Sequence, residues 1–278
     1  MTNLSPQSPI ATLLVVALPS EARPLLQHWQ LQRDPDSRAF AQYRNRDSSI
    51  WLVVSGVGKV NAAAACAHVY HSCGSESAVW LNVGIAGHRD MPLGTPFLAH
   101  TLVDAGSEKA FYPPILFKPP CDTDLLRSVD RPTRNLPMSG GVDMEASAFF
   151  TCASRYSSAE LVHGLKVVSD NANSTIDNIT DARVCHWIEE AIGPIAALRD
   201  SLVTLATKHL DPLPQWPATI RDIRLTVSQR NQVRDLLRRY SALEGNANTL
   251  NDALKNARHA RDVIAMLRAQ IDAQTVSY

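Results

Sequence analysis

The chain has 278 residues, 27 basic and 27 acidic side chains and 45% hydrophobic content, so its formal charge at neutral pH is zero. At roughly 100–200 residues per domain this is one generous domain, or one domain plus an addition. Ordinary apolar content excludes disorder throughout, and the zero balance argues against a protein that coats a polyanion.

In chain order, the first two-thirds alternate short β-rich runs with helical patterns. Thr12–Leu18 (TLLVVAL) reads as a strand, followed by a helix over Glu21–Trp29. Ile50–Ser55 (IWLVVS) is a second strand, followed by a helix over Val60–Tyr70 whose alanines at 62–65 favour helix and close packing. Ala78–Val83 is a third strand, and the more mixed Phe97–Asp104 a fourth, nearer an edge. Tyr112–Gly141 contains six prolines, which donate no backbone N–H, and reads as a long irregular connection with one short helix near Thr123–Val129. A helix over Asp143–Tyr156, a buried strand at Leu165–Ser169 and a helix over Asp181–His209 follow. Nearly continuous apolar strands suit burial on both faces, so the expected fold is a three-layer α/β/α sandwich around a mixed sheet.

Leu210–Pro217 carries three prolines in eight residues and marks a break. The expected organisation is a catalytic domain over 1–210, a linker over 211–217 and a helical C-terminal extension over 218–278. Beyond the break, apolar residues recur at helical spacing (Val233, Leu236, Leu237, Tyr240; then Leu250, Leu254, Val263, Leu267, Ile271), predicting two long amphipathic helices that turn at Glu244–Asn248. From Thr219 on there are ten Lys/Arg against six Asp/Glu, which reads as a solvated helix face rather than a nucleic-acid surface. No apolar run approaches the roughly 20 residues of a membrane-spanning helix. Ile10–Leu18 has neither the basic lead nor the cleavage site of a signal peptide. Five cysteines without C-x-x-C spacing read as reduced thiols, so a cytoplasmic protein is expected.

Chemistry concentrates in a few local patterns. Glu21 follows the first strand where a helix begins, and in open α/β sheets ligands bind at the carboxyl ends of strands. For Glu21 taken alone, a favourable acid in a helix's first turn is the better explanation. Ser55-Gly56-Val57-Gly58-Lys59-Val60-Asn61 joins strand to helix through two glycines, but matches neither a dinucleotide fingerprint nor a P-loop. Leu81-Asn82-Val83-Gly84-Ile85-Ala86-Gly87 repeats that layout. Val142-Asp143-Met144-Glu145-Ala146 opens a helix, and Lys166-Val167-Val168-Ser169-Asp170 ends a buried strand. A carboxyl at that strand end is expected to be partly desolvated and to hold a proton at neutral pH. The histidines complete no metal-ligand pattern: His68 and His71 lie three apart on a helix without an acidic or thiol partner. Neither a metal nor a cofactor is expected.

Together, S-G-V-G-K-V-N-A-A, N-V-G-I-A-G, V-D-M-E-A-S-A and V-V-S-D, preceded by the acid after strand one, resemble the nucleoside phosphorylase/nucleosidase superfamily over residues 10–209. Within it the chain is most similar to methylthioadenosine/S-adenosylhomocysteine nucleosidases. The resemblance implies that Glu21 activates the attacking water and that Asp170, beside Ser169, protonates or hydrogen-bonds the purine N7. It implies that Glu145 binds the ribose hydroxyls and Met144 packs beneath the sugar. Gly84, Val142 and Lys166 fall among the substrate-binding positions, with Lys166 standing where arginine is usual and lacking its bidentate fork. A homodimer or higher homo-oligomer acting on a small nucleoside follows from the same resemblance.

Two departures matter. Ile85 replaces the Ser or Thr whose hydroxyl helps hold phosphate in phosphorolytic relatives, which favours water as the nucleophile. Arg131–Gly141 is too short for the usual lid and has no aromatic, which leaves the 5′ side open to a larger substituent or a different base. The Tyr112-Pro113-Pro114 corner is either a closure over the purine or a structural turn, and Asn171 and Asn173 either contact the base or cap the next segment. The expected activity is hydrolysis of a purine nucleoside with a modified 5′ group. Phosphorolysis, including that of hopanoid-associated relatives, and nucleoside binding without catalysis are the alternatives.

Overall fold

The computed structural model describes residues 10–74, 78–209, 216–243 and 247–274. The chain divides into two compact units, 1–207 and 208–278. The first holds strands β1 (Ala11–Val16), β2 (Gln32–Arg33), β3 (Ala41–Arg44), β4 (Ile50–Val54), β5 (Ala78–His88), β6 (Pro96–Asp104), β7 (Ala110–Phe111), β8 (Asp122–Ser128), β9 (Gly141–Asp143) and β10 (Val162–Asp170). Its helices are α1 (Pro19–His28), α2 (Lys59–Cys73), α3 (Ala146–Ala153), α4 (Asp181–Glu190) and α5 (Ile192–His209), the last reaching just past the division.

The strands form one mixed sheet. β1 lies between β4 and β5 and is parallel to both. All six of its residues are buried, as the unbroken apolar run requires. Chain travel from β1 through α1 to β4, and from β4 through α2 to β5, runs in opposite directions across the sheet. Right-handed crossovers then put α1 and α2 on opposite faces. Accordingly α1 packs on α4 and α2 packs on α3, giving the three expected layers.

β5 is the hinge of the architecture. It pairs with β1 over Ala78–Asn82, with β10 over Trp80–Gly87 and with β9 at Gly87–His88. β10 pairs with β6, β6 with β8 and β8 with β9, so the circuit from β5 returns to β5. Closing the circuit satisfies main-chain groups that an open edge would expose. Phe97–Asp104 is therefore no edge strand: β6 is bonded to β7, β8 and β10. The segment expected as a short helix near Thr123–Val129 is strand β8. Its Leu126 and Ser128 are fully buried two residues apart, the period of a strand. The expected helix over Asp143–Tyr156 starts later, because Asp143 still belongs to β9. The helix expected over Asp181–His209 breaks at Ala191, and Thr180 caps its start by accepting from the Arg183 N–H at 3.3 Å.

The second unit contains a 3₁₀ turn at Ala218–Ile220 and helices α6 (Val227–Ala242), α7 (Ala247–Leu254) and α8 (Ala260–Gln274). Val233, Leu236, Leu237 and Tyr240 of α6 meet Leu250 and Leu254 of α7 and Val263, Leu267 and Ile271 of α8 in one apolar core. Two helices were expected here, and three are present among the described residues. The second interruption falls between Leu254 and Ala260, where the Asp262 carboxylate accepts the Arg258 and His259 N–H groups and starts α8. Most of the Leu210–Pro217 break lies outside the described residues. Among the described residues no helix is long and apolar enough to cross a membrane.

Candidate active site

A cavity of ≈ 280 Å³ opens where β1 stops and β5 continues, at the carboxyl ends of β1, β5 and β10. Glu21 lines it from α1, Ile85 from β5, Met144 and Glu145 from the β9–α3 junction, and Ser169 and Asp170 from β10. Val129, Pro132, Thr133 and Leu136 line it from the chain between β8 and β9, with Val142, Asp143, Ile176 and Ile179. The sequence-predicted acids are thus brought together from three distant parts of the chain. Gly84 and Lys166 are not in the lining and stand behind it.

Glu21 is held by the backbone around it. Its Oε2 accepts the Ala17 and Leu18 N–H groups at 2.8 Å each, and its Oε1 accepts the Ile85 N–H at 2.9 Å. The carboxylate fills the place a neighbouring strand would take beside β5, beyond the last residue of β1. A carboxylate offers about four lone-pair positions. Three are taken by amides, which leaves one on Oε1. Burial pushes Glu21 above the ordinary carboxylate range, opposed by Lys166 and by the three N–H donors. Glu21 is at once the first-turn acid of α1 and part of the cavity wall.

Gly84 makes room for that carboxylate. A Cβ there would lie 2.7 Å from Glu21 Oε1 and 3.3 Å from Lys166 Nζ. Because Oε1 is already hydrogen-bonded, it has little freedom to give way. We expect Gly84→Ala to lower turnover roughly tenfold to a hundredfold through misplacement of the carboxylate. A variant with unchanged kcat would show that the position of Glu21 is not critical.

Lys166 is buried within β10, and its Nζ lies 3.0 Å from Asp143 Oδ2. Asp143 also accepts from Ser128 Oγ at 2.6 Å and from the Ala146 N–H at 2.9 Å, which starts α3. Burial works against the Lys166 charge, yet Asp143, Glu145 and Glu21 together hold its ammonium above the ordinary lysine value. Asp143 is the site residue that the motif reading missed. The signal was a lysine inside an apolar strand run, which must find a buried acid if that strand is internal.

Glu145 Oε1 accepts the Gly58 N–H at 2.7 Å. Gly58 has φ of 104°, a conformation that glycine adopts without steric cost, and this turns its N–H toward the acid. Burial pushes Glu145 up to about 7, helped by Asp143 and Glu21 and opposed by Lys166 and Gly58. The next residue, Lys59, turns away to Asp104 at 2.7 Å and Asp130 at 2.9 Å. The glycine turn therefore serves Glu145, while its lysine ties α2 to the end of β6.

Asp170 Oδ1 accepts from Ser169 Oγ at 2.7 Å. Burial raises Asp170 above its ordinary value, with Ser169 pulling the other way, so the acid favours its protonated form more than a surface aspartate does. The neighbouring asparagine acts as a turn residue: Asn171 Nδ2 donates to Met91 O, and its Oδ1 accepts the Asn173 and Ser174 N–H groups. Tyr112 is exposed and outside the cavity lining. His68 is bonded to Ser37 Oγ at 2.8 Å. Among the described residues the lining contains no aromatic side chain and no Lys, Arg or His.

No protein-family model matches the sequence, and no curated protein matches it. Solved structures do match. The 5′-methylthioadenosine nucleosidase of Arabidopsis thaliana in apo form is similar with TM-score 0.54 at 16% identity, over 72% of this chain and 97% of that one. The methylthioadenosine/S-adenosylhomocysteine nucleosidase of S. pneumoniae, solved with a transition-state inhibitor, gives 0.54 at 17% identity over 69% and 100%. Futalosine hydrolase of Helicobacter pylori strain 26695 gives 0.52 at 14% identity over 70% and 97%. The chain therefore carries the nucleoside phosphorylase/nucleosidase fold, extended by the C-terminal helices.

Proposed function

We propose that the first unit hydrolyses the N-glycosidic bond of a purine nucleoside with a modified 5′ group and releases the free base. The observation that carries this reading is one cavity holding Glu21, Glu145 and Asp170 without a cationic side chain in its lining. Breaking the C1′–N9 bond sends its electron pair to the purine and leaves positive charge on the sugar. Asp170 gives its proton to N7, so the base departs neutral. Water attacks C1′ and passes a proton to the open lone pair of Glu21 Oε1. Glu145, fixed by Gly58, accepts the ribose hydroxyls, and Met144 lies beside it against the sugar. One carboxyl protonated and one ionised is the division of labour this reaction asks for.

The same lining argues for water over phosphate. A phosphate would enter a space walled by carboxylates, with Ile85 in place of a hydroxyl and Lys166 already paired with Asp143. An unpaired anion in such a place is strongly disfavoured. The similar structures include nucleosidases and a futalosine hydrolase, which supports a hydrolytic reading. The aliphatic side chains of Leu136, Ile176 and Ile179 give the cavity an apolar wall that suits an uncharged nucleoside better than a charged one.

The full chain incubated with methylthioadenosine or adenosine, with and without phosphate, tests the proposal. Free base is expected at the same rate in both buffers, with methylthioadenosine preferred. Strict dependence on phosphate would replace hydrolysis with phosphorolysis. Absence of base from either nucleoside, together with measurable binding, would leave a nucleoside-binding protein.

A further inference from the structure

The proposed hydrolysis gives no step to one buried ion pair, Lys166–Asp143. Lys166 comes from β10 and stands behind the cavity wall, paired with Asp143 from β9. Its ammonium also feels Glu145 at the start of α3 and Glu21 from α1, all three acids belonging to the lining. The bare face of Gly84 lets Glu21 Oε1 and Lys166 Nζ approach the same point. Asp170 lines the same cavity from the end of β10. Three acids share one ammonium, so full ionisation would leave two net negative charges in a desolvated space. The position of the single cation then decides which acid stays charged.

We infer that the Lys166–Asp143 pair is a positioning device for Glu21, the ammonium keeping that carboxylate ionised and Asp143 setting how much of the ammonium's charge reaches it. This inference rests on the hydrolytic reading above. Asp143 is anchored by Ser128 Oγ and the Ala146 N–H, so it holds Nζ on the β9 side. Lys166 therefore acts on Glu21 through space, and neither Lys166 nor Asp143 needs to touch substrate. A lysine in place of the usual arginine suits this role, because a point charge is enough and no bidentate fork is required.

The acidic limb of kcat reports the substrate-bound enzyme, in which Glu145 is already engaged by the ribose. Full-length protein acting on methylthioadenosine is measured from acid to neutral pH for the natural chain, Lys166→Met, Lys166→Arg and Asp143→Asn. Loss of the ammonium is expected to move the limb to higher pH by about one unit or more, because Glu21 then protonates sooner. Asp143→Asn removes a competing acid and is expected to move the limb to lower pH, and Lys166→Arg is expected to hold it near the natural position. Limbs that stay fixed in Lys166→Met and Asp143→Asn while rates fall would mean a structural role and overturn the inference. Near-ultraviolet circular dichroism checks that each variant is folded, and if Lys166→Met is not, the direction of the Asp143→Asn limb decides. A second readout needs no turnover: carboxyl ¹³C NMR titration of glutamate-labelled protein, with the Glu21 signal identified by its loss in Glu21→Gln. Its midpoint should rise in Lys166→Met and fall in Asp143→Asn, and a midpoint unchanged in both overturns the inference. A natural chain that releases no base sinks the hydrolytic reading, and the NMR titration still tests the charge device separately.

Discussion

Glu21→Gln is expected to reduce base release by about 10³-fold or more, near the upper part of the usual range for a positioned general base. The amide nearly matches the carboxylate in size, so the loss is chemical. Its oxygen can keep the place of Oε2 and accept the Ala17 and Leu18 N–H groups. Its NH₂ must then face the Ile85 N–H, donor against donor, where Oε1 had accepted a bond of 2.9 Å. The lone pair assigned to the water proton is gone as well. Glu145 and Asp170 keep their own partners, Gly58 and Ser169, so nucleoside binding should survive. Calorimetric titration with methylthioadenosine beside a steady-state assay separates the two effects. A variant that turns over at the natural rate would remove Glu21 from the mechanism.

The parts of this site visible in the sequence are those specified locally. The apolar runs of β1, β4, β5 and β10 identify strands buried on both faces, and short motifs after β1, after β9 and at the end of β10 supply Glu21, Glu145 and Asp170. What escaped depends on partners distant in sequence. β8 carries Leu125 and Leu126 side by side, a pattern compatible with a helix, and only its pairing with β6 and β9 selects the extended form. The closed circuit around β5 has no local signature, so β6 read as an edge. Asp143 looked like the first residue of a helix because its decisive contact, Lys166, lies in another strand. In the second unit, the chain between α7 and α8 has neither proline nor glycine, and a single carboxylate capturing two N–H groups makes the break. Physical chemistry could have flagged the buried lysine, since an ammonium inside a sheet demands an acid. It could not have said which one.

Asp170→Asn separates proton donation from mere hydrogen bonding, and turnover is expected to fall at least about 100-fold. Ser169 Oγ donates to Oδ1, so the proton that Asp170 holds belongs on Oδ2. In the variant the amide oxygen can take the Ser169 bond and the NH₂ can occupy the Oδ2 position. The base would still meet a donor, and KM should change little. What is lost is a proton that can leave with the purine, so negative charge builds on the departing ring in the transition state. Because burial raises Asp170, its protonated form dominates below its pKa and is depleted above it, giving an alkaline limb that should vanish in the variant. A riboside whose leaving group is stable as an anion, such as p-nitrophenolate, supplies the internal control. The natural chain and the variant should cleave it at rates within a few-fold of each other, while differing at least about 100-fold on methylthioadenosine. Near-natural turnover of methylthioadenosine would assign the proton to another group. An equal loss on both substrates would make Asp170 a structural residue of the cavity.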